Sequence, residues 1–253
     1  MRPDLPALLA DLRAEQADLR GLVERTDLEL ATPAQGWDVR DAVAHLAGTD
    51  VEATRAARDP AGFVAALPQD VGALLAGQLL ERRGLSRPEL LASWQDGFAA
   101  MTQALAALDP TAPVPWYGPP MSPASFVTAR LMEYWAHGQD VADAAGVRRE
   151  PTGRLRHVCH LGVRTRGFSY AVRGLSVPPG DVRVEVAAPG GGTWSWGTGP
   201  DLVTGDALDL CLVVTQRRDR DDTGLVATGP LAAEWLAIAQ CFAGPPGPGR
   251  GRA

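Results

Sequence analysis

Apolar residues recur every three or four positions over most of the first 150 residues, the period of helices that each bury one face. The pattern predicts a first helix over roughly 5–25, with Leu8, Leu9, Leu12, Leu19 and Leu22 on its apolar side. A second starts after GWDV, near Asp38, and runs to about Arg58. A shorter helical stretch, VGALLAGQLLERRG, comes before a third long helix. Ser86 ahead of RPEL reads as the N-cap of that helix, and Leu90, Leu91, Trp94, Phe98, Met101 and Leu105 form its core stripe. The proline-rich loop DPTAPVPWYGPPMSP then leads to a fourth helix from Ser122. Four apolar-faced helices with no strand signal predict an antiparallel four-helix bundle over 1–150.

The pattern changes after the turn around Gly146. A helix is expected over about 153–173, followed by a strand in DVRVEVAAP, whose valines alternate, a turn in PGGGT and a second strand in TWSWG. DALDLCLVVTQRR and PLAAEWLAIAQCFAG read as helices on either side of a short strand, LVATG. Residues 151–243 are therefore expected to form a smaller α+β domain, so the whole chain is of the α+β class. The Pro- and Gly-rich segment 244–253 is expected to be a disordered tail.

At 253 residues the chain can bury a sizeable core without metals or disulfides as staples. Its net charge of -6 and the lack of a basic run make a nucleic-acid backbone or an anionic membrane a poor partner. A small-molecule substrate is expected instead, acted on by a monomer or homodimer. No apolar run is long enough to span a bilayer, and MRPDLPALLADLRAEQ is broken by charge, unlike a signal peptide; a cytoplasmic protein is expected. Cys159, Cys211 and Cys241 form no close pair in sequence, which suits a reducing compartment, and Cys211 and Cys241 read as buried free thiols. The chain has neither lysine nor asparagine. A lysine Schiff base is thereby excluded, and any cation holding a substrate carboxylate must be an arginine, a metal ion or a helix N-terminus.

Candidate chemistry lies on the fourth helix. At about 100° per residue, Arg130, Glu133, His137 and Asp140 fall in one polar stripe beside an apolar face of Val127, Leu131, Tyr134, Trp135 and Ala142. Glu133 and His137, four apart, are spaced as a helix presents two metal ligands; a solvated charged face has the same spacing. On the second helix, Val39, Val43 and Leu46 define the buried side and put His45 on the polar side, with Asp41 one turn before it.

Taken together, GWDVRDAVAHL and RLMEYWAHGQDVADA resemble the two ligand segments of the DinB-like metal-binding bundles, and within them the mycothiol-dependent maleylpyruvate isomerase group. The resemblance extends over nearly the whole chain. It implies a divalent metal, usually zinc with nickel, iron or manganese as alternatives, held by His45, Glu133 and His137 with positions left open for water or thiol. Two neutral imidazoles and one carboxylate leave such a site with a net charge of about +1, enough to acidify a bound water or thiol. Asp41 and Asp140 are then either acceptors for the free ring nitrogens or ordinary helix-surface charges. In the resembled isomerase, the metal activates mycothiol, whose sulfur adds to a conjugated double bond, allows rotation and leaves. No cysteine of this chain lies in a ligand motif, so mycothiol would arrive as a cofactor. His157, Cys159 and His160 are a weaker candidate set, since three side chains packed within four residues of one helix cannot all face one ion. The resemblance also implies a sterol-carrier-like C-terminal domain whose helix end supplies an arginine to the substrate. Arg130, Arg217 and Arg218 are the candidate catalytic cations. For Arg217 and Arg218 the competing reading is a basic cluster that stabilises a helix C-terminus and pairs with Asp219, Asp221 and Asp222.

The C-terminal stretch from Cys211 onward is more similar to a sister branch of metal-binding proteins of unassigned activity than to the isomerase. Trp116 and Tyr117, before the fourth helix, either line a larger aromatic pocket or cover the core. The leading expectation is a metal-dependent enzyme that uses a metal-activated thiol or water for isomerisation, conjugate addition or thiol transfer. The alternatives are a mycothiol-independent metal-dependent lyase, hydrolase or cyclase, and a noncatalytic metal- or ligand-binding module.

Overall fold

Capping residues set the starts of most helices in the first part of the chain, as seen in the computed structural model, which describes residues 4–244 and 246–247. Six helices occur there: α1 (Leu5–Val23), α2 (Val39–Arg58), α3 (Pro60–Ala65), α4 (Val71–Arg83), α5 (Arg87–Ala106) and α6 (Pro123–Ala144). Asp38 caps α2 in a reciprocal box: its side chain accepts from Asp41 N–H at 2.8 Å, and its own N–H donates to the Asp41 carboxylate at 3.2 Å. At α5, Glu89 accepts from the Ser86 N–H at 2.8 Å and from its hydroxyl at 2.6 Å. The Ser122 hydroxyl accepts from Ser125 N–H at 3.2 Å, and Pro123 occupies the first turn of α6, where its missing N–H costs nothing.

The helices α1, α2, α5 and α6 form the four-helix bundle, with α2 packed on α5 and α6, and α1 on α6. Leu12, Leu46, Leu90, Trp94, Met101, Leu131 and Tyr134 are wholly buried at its centre. Helix α4 stands apart from this core: none of its residues is buried, and polar contacts hold it to α2.

The chain divides into two compact units between Arg148 and Arg149. The second unit contains α7 (Leu155–Arg164), α8 (Arg166–Ala171), β1 (Val182–Ala187), β2 (Thr193–Trp196), β3 (Asp201–Asp206), α9 (Ala207–Val214), β4 (Val226–Thr228) and α10 (Pro230–Ile238). The strands form a sheet of order β2-β1-β3-β4, in which β1 pairs antiparallel with β2 and parallel with β3, and β3 pairs antiparallel with β4. The chain as described is thus α+β. The single helix expected over 153–173 is two helices, parted at Thr165, whose hydroxyl back-bonds to Leu161 O at 2.8 Å while its ψ leaves the helical range at 14°. Strand β3 was not expected; DLVTGD carries two aspartates and a glycine, which weaken the strand signal. Gly162 allows α7 to approach α9 closely, since a Cβ there would stand 2.8 Å from the Val214 side chain. Of the expected tail, 245 and 248–253 lie outside the described residues. Among the described residues no helix is long and apolar enough to cross a membrane.

Candidate metal centre

The face of α6 that carries Glu133 and His137 meets the face of α2 that carries His45 inside the first unit. His45 Nε2 lies 3.8 Å from Glu133 Oε2, and His137 Nε2 lies 3.5 Å from the same oxygen. One donor atom from each of the three residues lies within 4.8 Å of the others. Ligand atoms bound tetrahedrally with bonds of about 2.1 Å stand roughly 3.4 Å apart, so small side-chain adjustments would bring this set onto one ion. Two imidazoles and a carboxylate are also a donor set suited to zinc and its neighbours. The periodicity that put His45 on the polar side of α2 was correct about the face, but that face turns towards α6 and α4 rather than solvent.

The protonation states suit ligation. Burial, helped by the neighbouring His137 and Arg130, lowers the His45 pKa despite the pull of Glu133, which favours a neutral ring with a free lone pair. Burial alone would raise the Glu133 pKa, but hydrogen bonding with His137 and His45 holds this carboxyl well below the usual carboxylate range.

Around this triad the structure separates the remaining candidates. Asp140 is buried, its Oδ2 3.2 Å from His137 Nδ1, close enough to act on that ring. Asp41 does neither of the things expected of it. Its carboxylate is buried and gripped at both oxygens by Arg83, each at 2.6 Å, while it also closes the cap of α2. Arg130 is buried, and its Nη2 donates to Thr49 Oγ1 at 3.0 Å and to Asp50 Oδ1 at 2.9 Å. Tyr134 donates to the other oxygen of Asp50, and Trp94 Nε1 donates to the Tyr134 hydroxyl at 2.8 Å. This chain of polar groups ties α2, α5 and α6 together. Burial lifts the Asp50 pKa to about 6, although Arg130 and Tyr134 both pull it down.

Trp37 was not picked out from the sequence. Its ring lies nearly parallel to His137, with centroids 5.6 Å apart at 11°, and 5.3 Å from His45. Its carbonyl accepts from both the N–H and the hydroxyl of Thr32 at 2.9 Å, so the loop that carries it is fixed. The signal was its place directly before the Asp38 cap of the helix that bears His45. Trp116 and Tyr117 group with Phe63, Trp116 also meets Phe126 edge-on, and the Tyr117 hydroxyl donates to Glu52 at 3.2 Å.

In the second unit, Arg217 follows α9 and donates through Nη1 to Thr215 O at 2.7 Å, as a basic residue at a helix C-terminus does, and Arg218 is the next residue. The weaker histidine-cysteine set does not form: Cys159 is buried with its sulfur 3.4 Å from that of Cys211, while His160 is exposed. All three cysteines are buried free thiols of this unit.

A family profile described as mycothiol maleylpyruvate isomerase N-terminal domain matches residues 9–142. Two uncharacterised proteins of Mycobacterium tuberculosis, from strains CDC 1551 / Oshkosh and H37Rv, are each 44% identical over 250 residues, covering 96% of this chain and 97% of theirs. The crystal structure of the mycothiol-dependent maleylpyruvate isomerase aligns with a TM-score of 0.64 at 14% identity, over 91% of this chain and 96% of that one. A histidine-to-alanine mutant of that isomerase aligns with a TM-score of 0.63 at the same identity and coverage. At this identity the likeness concerns the fold.

Proposed function

The chain belongs to the DinB-like, mycothiol maleylpyruvate isomerase family, and from that membership we propose that it is a metal-dependent enzyme acting on a small molecule. The observation that carries this reading is the convergence of His45, Glu133 and His137. Zinc is the proposed ion, and mycothiol the proposed thiol. The bound ion would supply Lewis acidity, lowering the pKa of a thiol or water held at its open positions.

The chain's own residues then do the following. Glu133 provides the ligand charge, and His45 and His137 the neutral nitrogens. Asp140 holds the His137 ring in one tautomer and orientation. Trp37 packs against both ligand rings and keeps water from that side. The Arg130–Asp50–Tyr134 network fixes α6 against α2, and with it the spacing of Glu133 and His137 from His45. Arg130 acts on the site through its positive field, and Arg217 or Arg218 is the proposed cation for a substrate carboxylate. Because the three cysteines are buried in their own unit, the thiol comes from outside the chain. The reaction proposed is isomerisation, conjugate addition or thiol transfer.

Elemental analysis of purified protein tests the centre. One divalent ion per chain is expected in the wild type, with His45→Ala, Glu133→Ala and His137→Ala each lowering affinity by at least about 10-fold; unchanged metal content in all three rejects the ligands. Turnover that persists after complete removal of low-molecular-weight thiol would replace the thiol reading with direct Lewis-acid chemistry by the same ion.

A further inference from the structure

Helix α4 lies along the same face of α2 that carries His45. Asp41, His45, Gly48 and Glu52 succeed one another at helical spacing on that face, and α4 engages three of the four. Arg83 grips Asp41, Gln78 donates to Glu52 at 2.9 Å, and both Gln78 and Arg82 lie over Gly48. A Cβ at Gly48 would stand 2.8 Å from Gln78 Oε1 and 3.5 Å from Arg82 Nη1, so only glycine leaves these groups room where they are. Gly48 is three residues beyond His45, about 4.5 Å along the helix axis.

The charges in this region are unevenly matched. Arg83 is neutralised by Asp41 and Arg130 by Asp50. Among the described residues no carboxylate pairs with Arg82; its Nη1 reaches only the Gln78 carbonyl of its own helix, at 3.1 Å. Its Nε is buried and has no acceptor, and the buried Gln78 Oε1 has no donor. An unsatisfied guanidinium N–H and an unsatisfied amide oxygen each cost free energy until a partner arrives. Both groups are half-buried on one helix face, one turn apart, beside the ligand stripe.

We propose that Arg82 and Gln78 form an anion subsite beside the metal centre, taking a small molecule that carries a carboxylate and a neighbouring hydroxyl or N–H donor. The guanidinium pairs with the carboxylate, and the Gln78 amide oxygen accepts from the adjacent donor. Helix α4 thereby selects what approaches the ligands of α2. The functional meaning of the subsite rests on the metal-dependent reading above, but its binding does not.

Ligand-observed NMR with malate, which has both groups, and succinate, which lacks the hydroxyl, tests the subsite on zinc-loaded and metal-free protein. Wild type is expected to bind malate in both forms and to prefer it to succinate. Arg82→Ala and the milder Arg82→Gln should each weaken malate binding by about 10-fold or more at unchanged zinc content. Gln78→Ala should remove the preference over succinate, and Arg58→Ala, at the exposed end of α2, should leave malate affinity within about twofold. No malate binding by wild type, wild-type affinity in both Arg82 variants, or an equal loss in Arg58→Ala would overturn the proposal. If zinc is absent while binding still follows Arg82, the metal reading fails and the subsite stands. If zinc is bound and Arg82 is indifferent, the reverse holds.

Discussion

Buried charge decides most at the scale of single residues. Asp50 is completely buried, and its carboxylate serves Arg130 and Tyr134 from opposite oxygens. Truncation to alanine would leave a guanidinium and a phenol without their acceptor, and Asp50→Ala is expected to lower unfolding free energy by about 3 kcal/mol in urea titrations. The Asp50 pKa is raised to about 6, so the folded state holds the proton more tightly than the unfolded chain. The associated stability is therefore present at low pH and is lost as pH rises through about 6. The gap between wild type and Asp50→Ala should widen by roughly 1 kcal/mol on going from pH 7 to pH 5; a gap that narrows would contradict the assignment. None of this was legible in the sequence. Asp50 reads as one more acid on a helix, and its partner Arg130 is separated from it by 80 positions. His45, Glu133 and His137 were legible because they lie within two motifs of matching type, whereas Trp37 contributes through ring packing and is marked only by its place before the Asp38 cap.

Elements that bury an apolar stripe were easier to read than those held by polar contacts. Helices α1, α2, α5 and α6 follow the periodicity closely, and the caps at Asp38 and Ser86 mark where two of them start. By contrast, α7 and α8 were expected as one helix, because back-bonding by Thr165 is a local competition that apolar spacing does not register. Strand β3 runs straight into α9, so its short signal merged with the helical pattern of DALDLCLVV. Helix α4 was foreseen as helical, but its attachment was not. It contributes no buried residue and depends on the Arg83–Asp41 and Gln78–Glu52 contacts. Few buried apolar contacts mean low local stability. Amide hydrogens of 71–83 should exchange faster than those of α2 or α6, and Arg83→Ala should accelerate them further without an equal change in α6. Protection of α4 equal to that of α2 would show an anchor other than these polar pairs.

Across the whole molecule the chemistry is divided between the units. The first unit holds the three candidate ligands, the Arg130–Asp50–Tyr134 network and the charge of Arg82, while the second holds every thiol and the arginines Arg217 and Arg218. The core of the bundle is apolar and does not include the three candidate ligands' donor atoms. On the reading proposed above, metal binding would serve chemistry more than folding, unlike small domains that collapse without zinc. The most direct test of that claim is X-ray absorption at the metal edge on the loaded protein. Two imidazole nitrogens and a carboxylate oxygen at about 2.0–2.2 Å, with a further light-atom ligand that exchanges on adding thiol for sulfur at about 2.3 Å, is the predicted result. A closed shell of four protein ligands that added thiol leaves untouched would contradict it.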